Sequence, residues 1–442
     1  MKFTIKVLLI LLLKAIFCLG QETESNCIQN NVISLQSDIL GQARNVKILL
    51  PEGYTQNQKY PVLYITDANY NFEVASFYLS QLAKSNVVPK SILVGVTQQN
   101  RYEELDPFWS EKGKQFKDFL FKELVPHISA TYSTSGFNAI IGHSDGAEYN
   151  HLLMIQKDNP FRGFINMSEN LNTDVTQEIA NYFKTYNGKK VFCFVASATY
   201  DSPDRIAAGK AIQQVYSSNP NNKIAFQNKL YNADHQTIVA KSLLDGITYI
   251  FKDYRELTQY NGFKDYAANY KTNINNCYGF MPDANEDDID YFFGKILDDK
   301  DVTMYEYIVA YATENNIFQI SSYNRSWHYF YMGEHEKSVA QWNKTIDDME
   351  DTSPKVFYYN FEKAIISYQK LNNPKGAITF LEASKKILPQ YTLEFNYFIA
   401  KVALEHNIQK TKAKRNIKYC EQNYYDNKYF NKEDLIKLKS EL

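Results

Sequence analysis

The chain has 442 residues, 44% of them hydrophobic, and a formal net charge of −2. That length can bury more than one core, so two domains are expected. The near-neutral charge supplies no global field for nucleic acid or an anionic membrane, which directs attention to a small-molecule or glycan partner.

At the N-terminus Lys2 and Lys6 precede the apolar run Val7 to Leu13, and Ala15 to Gly20 lead into the polar Gln21-Glu22-Thr23-Glu24-Ser25. This pattern predicts a secretory signal peptide over residues 1–20, cleaved near Gly20, and hence a secreted or periplasmic protein. The run is interrupted by Lys14 and falls short of the roughly 20 apolar residues that span a bilayer. A lipid anchor on Cys18 is the less favoured alternative, because a lipoprotein signal wants a small residue where Phe17 stands. No later segment reads as transmembrane. Cys27, Cys193, Cys277 and Cys420 remain after cleavage, without metal-type spacing and without a disulfide framework. Cys193 lies in an apolar run and reads as a buried free thiol; sequence alone cannot decide a Cys27 to Cys277 bridge.

From Asn31 to about Lys252, short β-rich runs alternate with amphipathic helical stretches, which predicts an α/β fold with a mostly parallel sheet. Val32 to Leu35 and Val46 to Leu50 form an expected antiparallel pair across Gly41. Pro61 to Thr66, Ser91 to Thr97, Phe137 to Ile141, Gly163 to Met167, Val191 to Ala198 and Ile224 to Leu230 are the expected inner strands. The clearest helical periods run over Gln115 to Ile128, Ala147 to Gln156, Asp204 to Val215 and Gln236 to Phe251.

Beyond Tyr254 the strand signals stop and Tyr, Asn, Lys and Glu recur on helical periods. The expected organisation is a catalytic domain over 21–254, a connector over 255–300 and a helical domain over 301–442. The acidic Asp283 to Asp288 reads as a solvated connector or helix start; it lacks the ligand order and central glycine of a calcium loop. The segments beginning Met332-Gly333-Glu334, Leu371-Asn372-Asn373 and Glu405-His406-Asn407 align with one another at a period near that of tetratricopeptide repeats. An insertion around Asp348 to Ser353 accounts for the longer first interval, and Pro354 and Pro389 close units. A tetratricopeptide-like stack is therefore expected, able to receive a protein partner.

Gly142-His143-Ser144-Asp145-Gly146 has the form G-x-S-x-G between an expected strand and an expected helix. Glycines are needed on both sides because a strand turning sharply into a helix leaves no room for neighbouring β-carbons. Ser144 is the candidate nucleophile, placed where helix N–H groups favour a developing oxyanion. Among seven histidines, His235 alone stands after the last expected strand and before a helix, where a base belongs. His143 is expected to point away from the nucleophile, and His127 and His151 to be packing or surface groups. The orienting acid should follow the strand Val191 to Ala198; Asp201 is preferred over Asp204, which also resembles a helix N-cap.

With these residues in place, the chain resembles the putative esterase family of α/β-hydrolases, which includes feruloyl, acetylxylan and siderophore esterases and S-formylglutathione hydrolases. The resemblance covers roughly Asn31 to Phe251. It rests on Ile39-Leu40-Gly41 to Leu50-Pro51-Glu52-Gly53-Tyr54, Pro61-Val62-Leu63-Tyr64-Ile65-Thr66-Asp67, Asn100-Arg101, Phe119-Leu120 to Glu123-Leu124-Val125-Pro126-His127-Ile128, the serine motif, and Asp234-His235 to Asp245-Gly246-Ile247. It implies Ser144, His235 and the post-strand aspartate as nucleophile, base and acid, and an oxyanion hole from the N–H groups of Asp145 and Ala68. The chain departs from the family at two places, with Ala68 where glycine is usual and Asp145 where the residue is usually uncharged. A carboxylate about 7 Å from an oxyanion would cost about 2 kcal/mol at an effective dielectric near 20, so the Asp145 side chain is expected to point outward, beside Glu148, toward the helix N-terminus.

The expected activity is that of an exported serine carboxylic-ester hydrolase, without metal or organic cofactor, acting on a small-molecule, glycan-linked or siderophore ester. Asn69, Tyr70, Phe72, Arg101 and Ser168-Glu169-Asn170-Leu171 are expected to line its pocket. The alternative is a catalytically weakened hydrolase-fold scaffold whose helical repeats bind a protein or peptide.

Overall fold

The computed structural model of the chain describes residues 30–349 and 353–442. The expected signal peptide, Cys18 and Cys27 lie outside the described residues. The described chain divides into two compact units, one of residues up to 260 with 265–282, the other of 261–264 with 283–442.

The first unit is built on one eight-stranded sheet of order β1-β2-β4-β3-β5-β6-β7-β8. β1 (Asn30–Ser37) and β2 (Gln42–Leu49) are antiparallel, joined by a turn in which Gly41 takes φ +66°. From β4 (Ile92–Val96) through β3 (Tyr60–Ile65), β5 (Thr134–His143), β6 (Phe161–Met167), β7 (Val191–Ala198) and β8 (Ile224–Tyr231), neighbours are parallel. Every expected strand is present. β3, β4 and β7 are buried along their whole length, as continuous apolar runs covered on both faces should be. Cys193 is a buried free thiol in β7. Parallel pairing sends all these strands' C-terminal ends to one edge, the edge where open α/β sheets carry their ligands.

The helices differ from expectation in two informative places. Ala68–Lys84 is a long helix with a weak sequence signal, because its buried face includes the polar Asn71 and Ser76 beside Phe72, Ala75 and Leu79. The period Gln115 to Ile128 is helical but not uniform: Glu111–Asp118 widens into a π-helical segment Phe119–Leu124 before Val125–Thr131. Pro126 lacks an N–H to continue the ladder, and the π-helical segment absorbs that break.

The stretch 255–300, expected as a connector, carries the helices Phe263–Tyr278 and Glu286–Asp299. The acidic run is the start of the second of these, with the Asn285 side chain accepting from the Asp288 N–H. The rest of the second unit is helical, with hairpins Ser322–Met332 to His335–Asp347, Glu362–Lys370 to Pro374–Ile387, and Thr392–Glu405 to Lys410–Gln422. Their turns place Gly333, Asn372 and Asn407 in the left-handed region. The third turn therefore falls one residue later than the alignment of His406 with Asn372 implies. Aromatic rings fill this core: Trp342 is fully buried against Tyr323, Phe357 and Phe380.

Candidate active site

Ser144 directly follows β5 and precedes the helix Asp145–Met154, with φ 60° and ψ −125°. A β-carbon on Gly142 would collide with the Gly146 carbonyl, and one on Gly146 would lie 2.8 Å from Thr66 Oγ1. Strand and helix backbones thus touch, and only glycine fits on either side of the serine. The strained serine is held by a 2.9 Å bond from its N–H to the Met167 carbonyl. Its side chain does not cap the helix it precedes, so the hydroxyl is not spent on structure.

His143, Met167 and Ala196 stand in register across β5, β6 and β7, so the residues that follow them emerge together. Asp201 lies in the loop after β7 and His235 in the loop after β8. Asp201 Oδ2 is 3.1 Å from His235 Nδ1. Burial raises the Asp201 carboxyl, but hydrogen bonds from Ser168 and His235 outweigh it and hold the group below its ordinary range. Asp204 belongs to the first turn of the helix Pro203–Ser218, with Ser202 at the N-cap position, so of the two aspartates it is Asp201 that meets the imidazole.

The other expected positions sort sharply. Asp145 does not point toward solvent beside Glu148; its carboxylate accepts from Arg101 Nη1 at 2.5 Å. Arg101 also donates Nε and Nη2 to Asp67, at 2.8 and 3.1 Å, and Nη2 to the His143 carbonyl at 3.2 Å. All three guanidinium nitrogens are engaged, so Arg101 is a clamp joining the ends of β3 and β5 rather than a free pocket donor. Its single positive charge, shared with Asp67, offsets part of the charge that Asp145 brings beside the serine. The short helix Arg101–Glu104 is itself anchored by an ion pair from Glu104 to Arg44, which is 1% exposed. Glu148 is buried, and burial, with Glu169 and Asp145 nearby, pushes its carboxyl up to about 7.

Glu169 is 1% exposed and its Oε2 meets the buried His151 Nε2 at 2.7 Å, so it faces the interior rather than an open pocket. Phe72 is likewise fully buried, packed where a β-carbon on Gly95 would have to go. Asn69 and Tyr70 are exposed, Tyr70 by 80%, and remain available at the sheet edge. Ala68 and Asp145 are each the first residue of a helix, where the backbone N–H has no intrahelical acceptor.

Two residues take places other than those expected. His143 does not stand apart: its ring centroid lies 4.6 Å from that of His235 and its Nε2 is 2.7 Å from the His235 carbonyl. A carbonyl only accepts, so Nε2 carries the proton. Burial and the neighbouring His235 push His143 down to about 4, keeping it neutral near pH 7. Ser168, expected among the pocket-lining residues, stands between Asp201 and His235. Neither contact had a sequence signal, since each joins residues far apart in the chain.

Residues 37–247 match the putative esterase family. Among solved structures, an IroE-like serine hydrolase from Shewanella oneidensis superposes with a TM-score of 0.53 at 21% identity, covering 62% of this chain and 95% of its own. A protein from Capnocytophaga ochracea superposes with a TM-score of 0.57 at 16% identity, covering 72% of this chain and 94% of its own. At these identities the superpositions establish the fold. A search of curated proteins finds no match. The match to the putative esterase family thus covers residues 37–247, a little under half of the chain, on an α/β-hydrolase fold, and supports a carboxylic-ester hydrolase.

Proposed function

We propose that the protein is an exported serine esterase that works through an acyl-enzyme on Ser144. His235 Nε2 removes the Ser144 proton as Oγ bonds to the ester carbonyl carbon, and the carbonyl electrons collect on oxygen. The N–H groups of Asp145 and Ala68, at two helix N-termini, stabilise that oxyanion. Collapse breaks the ester C–O bond, and His235 returns the proton to the departing alcohol. Water activated by the same imidazole then releases the acid. Asp201 holds Nδ1–H and stabilises the imidazolium. The observation that carries this reading is the strained Ser144 at the elbow on the same strand edge as the hydrogen-bonded Asp201 and His235 pair.

The substrate class is a small-molecule or glycan-linked ester, reached past the exposed Asn69 and Tyr70, and the N-terminal signal directs the enzyme out of the cytoplasm. The helical region is proposed as a tetratricopeptide-like stack that receives a protein partner, a reading supported by the recurring left-handed turns at Gly333, Asn372 and Asn407. The test is hydrolysis of a short-chain nitrophenyl ester by the purified chain. Ser144→Ala is expected to lose at least three powers of ten in turnover with an unchanged melting temperature. Retention of more than about a tenth of the activity would contradict the assignment.

A further inference from the structure

Ser168 is the first residue after β6, is 2% exposed, and adopts φ 59°, a left-handed conformation that serine takes only under constraint. Its backbone is fixed at both ends. Its N–H donates to the Ala196 carbonyl at 2.8 Å, and its own carbonyl accepts from Arg205 Nη1. These tethers aim the hydroxyl between two members of the proposed catalytic set: it donates to Asp201 Oδ2, and its oxygen lies 2.9 Å from His235 Nδ1.

A hydroxyl has one proton to give. The carboxylate is the stronger acceptor, so that proton goes to Asp201, and Ser168 Oγ meets Nδ1 with a lone pair. Nδ1 must then carry the imidazole proton, shared between Oγ and the Asp201 Oδ2 at 3.1 Å. With the proton fixed on Nδ1, Nε2 is left as the basic nitrogen, the one a serine nucleophile requires. A closed ring of three hydrogen bonds thereby selects one tautomer and one ring orientation.

We propose that Ser168 is a positioning residue for the ester hydrolysis, acting with Asp201 to hold His235 as the Nδ1-protonated base; this rests on the assignment of Ser144, His235 and Asp201 above. Strain supports the proposal. Glycine would occupy φ 59° without penalty, so serine is held there at a cost that packing alone does not require.

The test uses Ser168→Ala and Ser168→Gly in the full-length chain, with an activated nitrophenyl ester. Both variants should lower kcat about tenfold or more with KM within about twofold, because a hydrogen bond among charged groups is lost and substrate contacts are not. Ser168→Gly should do so while its melting temperature holds or rises, separating loss of the hydroxyl from loss of structure. The proposal is overturned if either folded variant keeps kcat within about twofold of the parent while Ser144→Ala is inactive. It is also overturned if the kcat loss appears only alongside a matching fall in melting temperature in both variants. Turnover that survives Ser144→Ala would overturn the underlying assignment, and this proposal with it.

Discussion

Both units carry left-handed residues at helix ends, but among the described residues only the sheet-based unit also carries them at strand ends. Among the described residues of the helical unit, the non-glycine residues with positive φ are Lys300, Asn316, Asn372, Asn407 and Gln409, all at helix ends. Asparagine visits that region readily, and such residues end one helix so that the next can begin. In the sheet-based unit Asn86 and Trp109 likewise stand beside helix ends. Asp67, Ser144 and Ser168, by contrast, have positive φ within two residues of the ends of β3, β5 and β6, side by side on one edge. None of these is asparagine or glycine, and all three bear polar groups in the candidate site. Buried polar groups follow the same division. In the helical unit Glu394 is enclosed by the Tyr358 and Tyr425 hydroxyls at 3.0 and 2.9 Å, a local and complete solution. On the sheet edge Asp67, Asp145, Arg101, Asp201 and His235 are linked around a serine whose hydroxyl is not used for capping. Strain that serves chain reversal is cheap and replaceable, whereas strain that aims a side chain is kept only where the side chain is needed.

The largest effect that can break this contrast is on the acid. Asp201→Asn should lower turnover by three to four powers of ten by favouring the wrong imidazole tautomer, while Asp204→Asn stays within about twofold. Steady-state kinetics on the same ester checks both, and the opposite ranking would move the acid one helical turn onward.

Next in size is the pH response. In the helical unit burial pushes His328 down to about 4 from 6.5, so the unfolded chain binds more protons between those values. Stability there should fall as pH drops from 6.5 to 4, by up to about 3 kcal/mol. The sheet-based unit contains two opposed groups. His143, pushed down to about 4, destabilises on acidification as His328 does. Glu148, pushed up from 4.5 to about 7, binds its proton more tightly when folded and so stabilises as pH falls through that window. Hydrogen-exchange protection, corrected for intrinsic rates, should therefore decline with acid in Val302–Glu314 and Ser322–Met332 and stay nearly level in β5 and β6.

The smallest effect compares the two kinds of left-handed residue directly. Ser144→Gly should stabilise the fold by about 1 kcal/mol in urea unfolding, because φ 60° with ψ −125° is glycine's territory. Asn372→Gly should change stability by no more than a few tenths of a kcal/mol.

The strands were legible because β-branched and aromatic runs bounded by turn residues carry a local signal, and Gly142, Ser144, Gly146, Asp201 and His235 were legible because each sits at a stated place relative to those strands. What sequence did not reveal is where side chains turn once the strands end. The left-handed Asp67 and Ser168 redirect the loops after β3 and β6, and as non-glycine residues they announce nothing. Glu169 therefore looked like a pocket residue and is buried on His151, Arg101 looked free and is a clamp, and the role of His143 depends on a contact across 92 residues of chain. The helix Ala68–Lys84 gave only a weak pattern for a related reason: its polar Asn71 and Ser76 face the interior.

The central claim is that Ser144 is the nucleophile and His235 its base. A nitrophenyl phosphonate ester reports this directly, since attack by a serine Oγ displaces nitrophenolate and leaves a stable phosphonyl-serine whose position mass spectrometry reads. One adduct per chain on Ser144 is predicted, absent in Ser144→Ala and formed at least about a thousandfold more slowly in His235→Ala. Failure to label a folded chain, or labelling at Ser168 or any other serine with Ser144 unmodified, would contradict the account.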